Sequence, residues 1–192
     1  MKALFIDNLD FFTYSLVDEF EKKGCETLVY RNDTEPKFLD AAIKKFRPGI
    51  IALLSGPGNP EHGNAAQIVG DYTGKIPIFG VGLGCLCIIA AFGGKSAKSP
   101  FLIHGRSSKI FHDGKGIFKK LENPLIGARY SSLVAVDVPY SLEVSARDSN
   151  DVVMGIRHKE GPVEGIMFHP ESLLTISGSA LIDNVLSEAG KK

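Results

Sequence analysis

Short apolar runs alternate with amphipathic stretches along the first half of the chain. Ala3-Leu4-Phe5-Ile6 is uniformly apolar and stops at Asp7-Asn8, which predicts a buried strand feeding a loop. From Phe12 to Lys22 apolar residues recur at helical spacing (Phe12, Leu16, Phe20), and Gly24 is placed to end that helix. Thr27–Tyr30 predicts a second strand and Phe38–Phe46 a second amphipathic helix. Pro48 then precedes the apolar run Ile50–Leu54, which enters the turn Ser55-Gly56-Pro57-Gly58. A helical stretch around Ala65–Asp71 leads to a strand over Ile76–Val81, and Cys87–Phe92 is read as a helix stopped by Gly93-Gly94.

Buried strands alternating with helices indicate a parallel sheet covered on both faces. After about Phe101 the texture becomes strand-rich: Ser107–Phe111, Ser132–Val136, Leu142–Ala146, Val152–Arg157 and Val163–Phe168. A last helix is expected over about Ser179–Ala189. The fold class expected is therefore α/β, a Rossmann-like and mostly parallel sheet flanked by helices, with an antiparallel extension. No repeat, linker or low-complexity tract divides residues 1–192, so one domain is expected.

Composition narrows the function classes. The 22 basic and 22 acidic side chains cancel, which gives no argument for nucleic acid or an anionic membrane as partner. The apolar runs are too short to span a bilayer, and an acid at Asp7 interrupts the opening run too soon for a secretory leader. Cys25, Cys85 and Cys87 have neither disulfide nor zinc spacing, which favours a reducing, cytoplasmic setting and no metal.

In open α/β sheets ligands bind beyond the C-terminal ends of the strands. Three segments fall there: Ser55-Gly56-Pro57-Gly58-Asn59-Pro60, Gly80-Val81-Gly82-Leu83-Gly84, and Gly165-Ile166-Met167-Phe168-His169-Pro170-Glu171-Ser172. Each alone is an ordinary turn or loop. In order, and with their separations, they resemble the triad-type glutamine amidotransferases, specifically the small subunit of anthranilate synthase and its aminodeoxychorismate-synthase relative. Asp7-Asn8-Leu9-Asp10-Phe11-Phe12-Thr13-Tyr14 is similar to that family's Asp-Asn-x-Asp-Ser-Phe-Thr-Tyr opening. His104-Gly105-Arg106-Ser107-Ser108 resembles its His-Gly-Lys-x-Ser segment, and Arg129-Tyr130-Ser131-Ser132-Leu133 its Arg-Tyr-His-Ser-Leu. Phe168-His169-Pro170-Glu171-Ser172 matches outright.

The resemblance implies covalent chemistry without a cofactor. A cysteine at a strand-to-helix turn attacks the side-chain amide of glutamine, a histidine activates it and a glutamate orients the histidine. Ammonia then passes to a chorismate-utilising synthase, the large subunit, as partner. By position His169 and Glu171 are the carried-over histidine and carboxylate, and Gly56, Pro57 and Gly58 form the oxyanion loop. Leu83, Leu86, Ser132, Leu133 and Met167 fall at substrate-facing positions.

The pattern breaks where the chemistry should be. The family's Gly-Val-Cys-Leu-Gly-His-Gln reads Gly80-Val81-Gly82-Leu83-Gly84-Cys85-Leu86 here, so Gly82 stands in the nucleophile's position. Leu86 and Met167 replace glutamines, Ser131 replaces a histidine, and Leu54-Ser55 replaces Ser-Pro. Cys85 and Cys87 belong on the following helix, where one turn rises about 5 Å, and are read as structural rather than as substitute nucleophiles. A dinucleotide fingerprint fails as well, because Cys85 occupies the place of its third glycine. His62, His104, His112 and His158 show no ligand spacing, and Lys119-Lys120 and Lys191-Lys192 are read as solvated charge. The expectation is an amidotransferase-like subunit that no longer hydrolyses glutamine. The competing readings are a glutaminase with an unusual nucleophile and a small-ligand sensor using the altered pocket.

Overall fold

The computed structural model describes residues 1–101 and 103–191. Lys191 is exposed and pairs with Glu188, whereas Lys192 lies outside the described residues.

The first half builds the parallel part of the sheet from β1 (Lys2–Asp7), β2 (Glu26–Arg31), β3 (Ile50–Leu53) and β4 (Ile78–Val81). Strands β3 and β4 are buried along their whole length, as continuous apolar runs in a doubly covered sheet must be. The helices between them are α1 (Thr13–Lys22), α2 (Pro36–Phe46), α3 (Ala65–Tyr72) and α4 (Leu83–Ala91). Helix α1 buries Leu16, Val17 and Phe20, with the Phe20 ring edge-on to Phe5 at 5.1 Å. It ends at Gly24, whose φ of 80° lets Cys25 N–H return to the Phe20 carbonyl.

The second half adds β5 (Lys95–Lys98), β6 (Arg106–His112), β7 (Leu125–Arg129), β8 (Leu133–Asp137), β9 (Leu142–Asp148), β10 (Val153–His158), β11 (Val163–Ile166) and helix α5 (Gly178–Ala189). Among the described residues the main sheet has nine strands in the order β2-β1-β3-β4-β11-β10-β9-β6-β7. From β2 to β11 the pairings are parallel, and from β11 to β7 antiparallel.

Three differences from the sequence expectation have local causes. Ser132–Val136 does not join the main sheet; as β8 it pairs with β5 in a separate two-stranded sheet. The polar, largely exposed Lys-Ser-Ala-Lys of β5 carries no apolar alternation to announce a strand. Strand β7 was equally silent, because Gly127 interrupts it; the Phe168 ring packs where a Gly127 side chain would go, 2.8 Å from an ideal Cβ. Helix α4 starts at Leu83 rather than Cys87, directly after Gly82. It is buried from Leu83 to Ile89, so an all-round apolar helix carries no amphipathic signal at its start.

The carboxyl ends of β1, β3, β4 and β11 point the same way, because these strands are mutually parallel. The loops after Asp7, Leu53, Val81 and Ile166 therefore converge at one edge. Among the described residues no helix is long and apolar enough to cross a membrane.

Candidate active site

The converging loops enclose a cleft of about 350 Å³, near the lower end of small-molecule sites at roughly 300–1,000 Å³. Directly before Leu83 of its lining comes the turn at Gly82, with φ 57° and ψ −113°. This is a sharp strand-to-helix elbow in a conformation that side-chain-bearing residues rarely adopt. The elbow is fixed by packing on both sides. A Cβ at Gly84 would meet the Leu53 carbonyl oxygen at 2.1 Å, and one at Gly80 would meet the Gly84 backbone at 2.7 Å. Helix α4 thus sits so close to β3 and β4 that only glycine fits at these two positions.

A side chain built at Gly82 would project toward His169, with the Cβ 3.5 Å from Nε2. His169 Nδ1 and Glu171 Oε1 are 2.6 Å apart, and both side chains are about 2% exposed. Bonding at Nδ1 leaves Nε2 facing the elbow, the orientation a base needs beside a nucleophile. The His169 backbone is held in turn: its N–H donates to the Ala128 carbonyl at 2.9 Å, and its carbonyl accepts from Thr175 Oγ1 at 2.6 Å. The imidazole meets the Tyr130 ring edge-on at 4.9 Å and the Phe12 ring at 6.0 Å.

Of the residues singled out from sequence, Gly56, Pro57, Gly58, Leu83, Leu86, Ser132, Leu133 and His169 line the cleft. Gly82 forms its turn, and Glu171 lies behind His169. Met167 does not line it. This side chain is 1% exposed, and its N–H donates to the Met154 carbonyl, so it packs in the core beneath the site. Regular strand geometry stops at Ile166 and the backbone bends at Met167 and Phe168, so the two-residue spacing that would put Met167 on the same face as His169 no longer holds.

Several cleft residues belong to the quoted motifs but were not singled out as site residues. Asp10, Phe11, Phe12, Ser55, His104, Tyr130 and Ser131 also line it. His104, which shows no ligand spacing in the sequence, is exposed yet reaches the cleft, edge-on to Tyr130 at 5.5 Å. His112 is structural: it is buried, stacked on Phe118 at 4.8 Å and hydrogen-bonded to the Glu122 carbonyl. Ser131 donates to the Leu133 carbonyl at 2.7 Å and accepts from Leu133 N–H, so its hydroxyl serves its own turn.

Burial raises both helix thiols, Cys87 to about 12. Cys85 Sγ faces β11, 2.9 Å from where a Gly165 Cβ would stand. Neither sulfur lines the cleft. Burial also raises the Asp10 carboxyl, against the opposing attraction of His169. Asp10, His169 and Glu171 bring ligand atoms within 4.8 Å of one another. Glu171 Oε1 and His169 Nδ1 are already committed to each other, so the arrangement is a hydrogen-bonded dyad with a neighbouring acid rather than an open metal set.

Comparison with known proteins agrees with this geometry. The chain is 41% identical over 192 residues to anthranilate synthase component 2 of Thermus thermophilus, covering 98% of this chain and 93% of that protein. It is 37% identical to a multifunctional tryptophan biosynthesis protein of Pichia angusta, covering 98% of this chain but spanning only 52% of that relative's length. The crystal structure of a glutamine amidotransferase from Thermotoga maritima superposes with a TM-score of 0.81 at 13% identity, covering 100% of this chain and 99% of that one, which speaks for the fold alone. The profile of the family glutamine amidotransferase class-I matches residues 4–189, and the chain belongs to that family.

Proposed function

We propose that this chain is the amidotransferase-like subunit of an anthranilate-synthase-type pair, silent toward glutamine, and that it docks on a chorismate-utilising large subunit in the cytoplasm. One observation carries the reading. The elbow is intact and the His169–Glu171 dyad is set beside it, but the elbow residue is Gly82, which has no atom to form a thioester. Removing a triad nucleophile costs many orders of magnitude in rate. Leu86 compounds the loss, because its apolar side chain lines the cleft where an amide substrate needs a polar partner. A buried amide left without one costs about 1–3 kcal/mol.

Docking is supported by the relatives named as anthranilate synthase components, and by the surface around the cleft. Phe11, itself in the cleft lining, is 94% exposed, and Leu173, two residues after Glu171, is fully exposed. Large apolar side chains left in water beside a cleft mark a surface that a partner covers. In such a pair the large subunit would draw on free ammonia.

A coupled glutamate assay at high glutamine tests the silence, with no signal expected above a no-enzyme control. Glutamate release that disappears on Cys85→Ser or Cys87→Ser would refute it. Co-purification with an untagged anthranilate synthase large subunit tests the docking; a large subunit that elutes separately would count against it.

A further inference from the structure

The space that a cysteine side chain would take at the elbow is not empty. A Cβ on Gly82 would lie 2.3 Å from Ser55 Oγ, and that same point is 3.5 Å from His169 Nε2. The Ser55 hydroxyl and the His169 imidazole therefore flank one position, with Ser55 Oγ filling the volume of the absent side chain. Among the described residues no hydrogen bond ties up this hydroxyl, one to His169 included, so it is free to turn onto Nε2 when a substrate binds, whereas Ser131, also in the cleft, is bound within its own turn.

We propose that Ser55 replaces the lost thiol as nucleophile, so that Ser55, His169 and Glu171 form a serine triad hydrolysing small uncharged acyl esters. Glu171 holds His169 through Nδ1, and Nε2 takes the Ser55 proton as Oγ attacks the acyl carbon. The proton passes to the departing alkoxide, an acyl-serine forms, and water admitted through His169 releases the acid and regenerates Ser55. Ester and water give acid and alcohol, with no further reactant. Helix α4 begins at Leu83 beside the attack point; the N–H groups of Leu83 and Gly84, which precede the first bond from Cys85 N–H to the Gly82 carbonyl, would stabilise developing negative charge there.

The lining argues the substrate class. Phe12, Leu83, Leu86 and Leu133 present apolar surface, and the carboxyl of Asp10 disfavours an anionic acyl group. About 350 Å³ admits only a small substrate. An ester suits the site better than an amide, since an alkoxide is a better leaving group than an amide nitrogen and an ester needs no carboxamide partner.

The test uses the full chain, a fluorophosphonate probe and p-nitrophenyl acetate, with adducts located by peptide mass spectrometry. The expected result is a phosphonyl adduct on Ser55, formed as the P–F bond breaks, the fluoride leaves and His169 takes the serine proton. Ester turnover should fall about 100-fold or more in Ser55→Ala and in His169→Gln, the usual loss with a nucleophile or its base. Mapping on the unaltered chain does not depend on any variant folding; circular dichroism checks the variants. No adduct on Ser55, or an adduct that forms equally fast in folded His169→Gln, would overturn the triad. Glutamate release measured alongside separates the two proposals: release that stops with Ser55→Ala would support the triad and refute glutamine silence.

Discussion

Placing a cysteine at Gly82 looks like a direct repair, and the structure argues that it fails as a single change. The Cβ of Gly82→Cys would stand 2.3 Å from Ser55 Oγ and 2.9 Å from Ser55 Cβ. Rotating the hydroxyl away relieves the first contact but not the second, so the loop after β3 must also move. Overpacking of this kind costs about 1–3 kcal/mol. Holding a non-glycine residue at φ 57° and ψ −113° adds about 1–3 kcal/mol. Together these amount to roughly 2–6 kcal/mol, or a melting temperature lower by roughly 4–24 °C in a domain of this size. A cysteine that displaced the Ser55 loop would also disturb Gly56, so little glutaminase activity should return. Adding Ser55→Gly removes both clashing atoms, and Leu86→Gln restores a polar group to the cleft. The triple variant should melt higher than Gly82→Cys alone and release glutamate measurably faster. Met167→Gln should add nothing further, since Met167 lies outside the cleft lining. A Gly82→Cys variant that melts like the parent and hydrolyses glutamine as fast as the triple variant would refute this reasoning.

Arg129 and Asp148 form an ion pair with side chains 2% and 3% exposed, and Asp148 Oδ1 also accepts from Asn150 and Val152 N–H. Arg129→Met should cost roughly 3–5 kcal/mol in urea unfolding by leaving a buried carboxylate unpaired; a loss under about 1 kcal/mol would contradict that. Burial raises the Glu164 carboxyl from 4.5 to about 7, against the opposing pull of Arg157. The folded chain then keeps a proton that the unfolded chain has released, so stability should fall as pH rises through that window. Glu164→Gln should flatten the slope of melting temperature against pH, and an unchanged slope would refute the assignment. Gly56→Ala should lower the melting temperature more than Gly58→Ala. Both glycines have positive φ, but a Cβ on Gly56 would meet the Asn8 carbonyl oxygen at 2.0 Å, whereas one on Gly58 meets nothing within 4 Å. Equal effects would show that backbone strain alone matters there.

The sequence by itself determined the alternation that makes the parallel half of the sheet. Ala3–Ile6, Ile50–Leu54 and Ile78–Val81 are uninterrupted apolar runs, and only a strand buried on both faces uses such a run. It also placed Gly82 at the elbow and His169 and Glu171 beside it, because ordered motifs survive in the linear chain whatever the packing around them. Strands β5 and β7 stayed hidden, since an exposed Lys-Ser-Ala-Lys and a glycine-interrupted run owe their pairing to neighbours rather than to local pattern.

Only the tertiary structure decided which side chains share the cleft. Asp10, Ser55, Tyr130 and His169 come from loops far apart in the chain, brought together because β1, β3 and β11 end at one edge of the sheet and β7 lies against the same loop. Met167 drops out because β11 ends at Ile166 and the backbone bends at Met167 and Phe168, so the strand periodicity that would pair Met167 with His169 on one face is broken only in the folded chain. Ser55 reads in the sequence as drift in an oxyanion loop. Its approach to the vacant position at Gly82 depends on two loops crossing within contact distance, and no spacing along the chain records that distance.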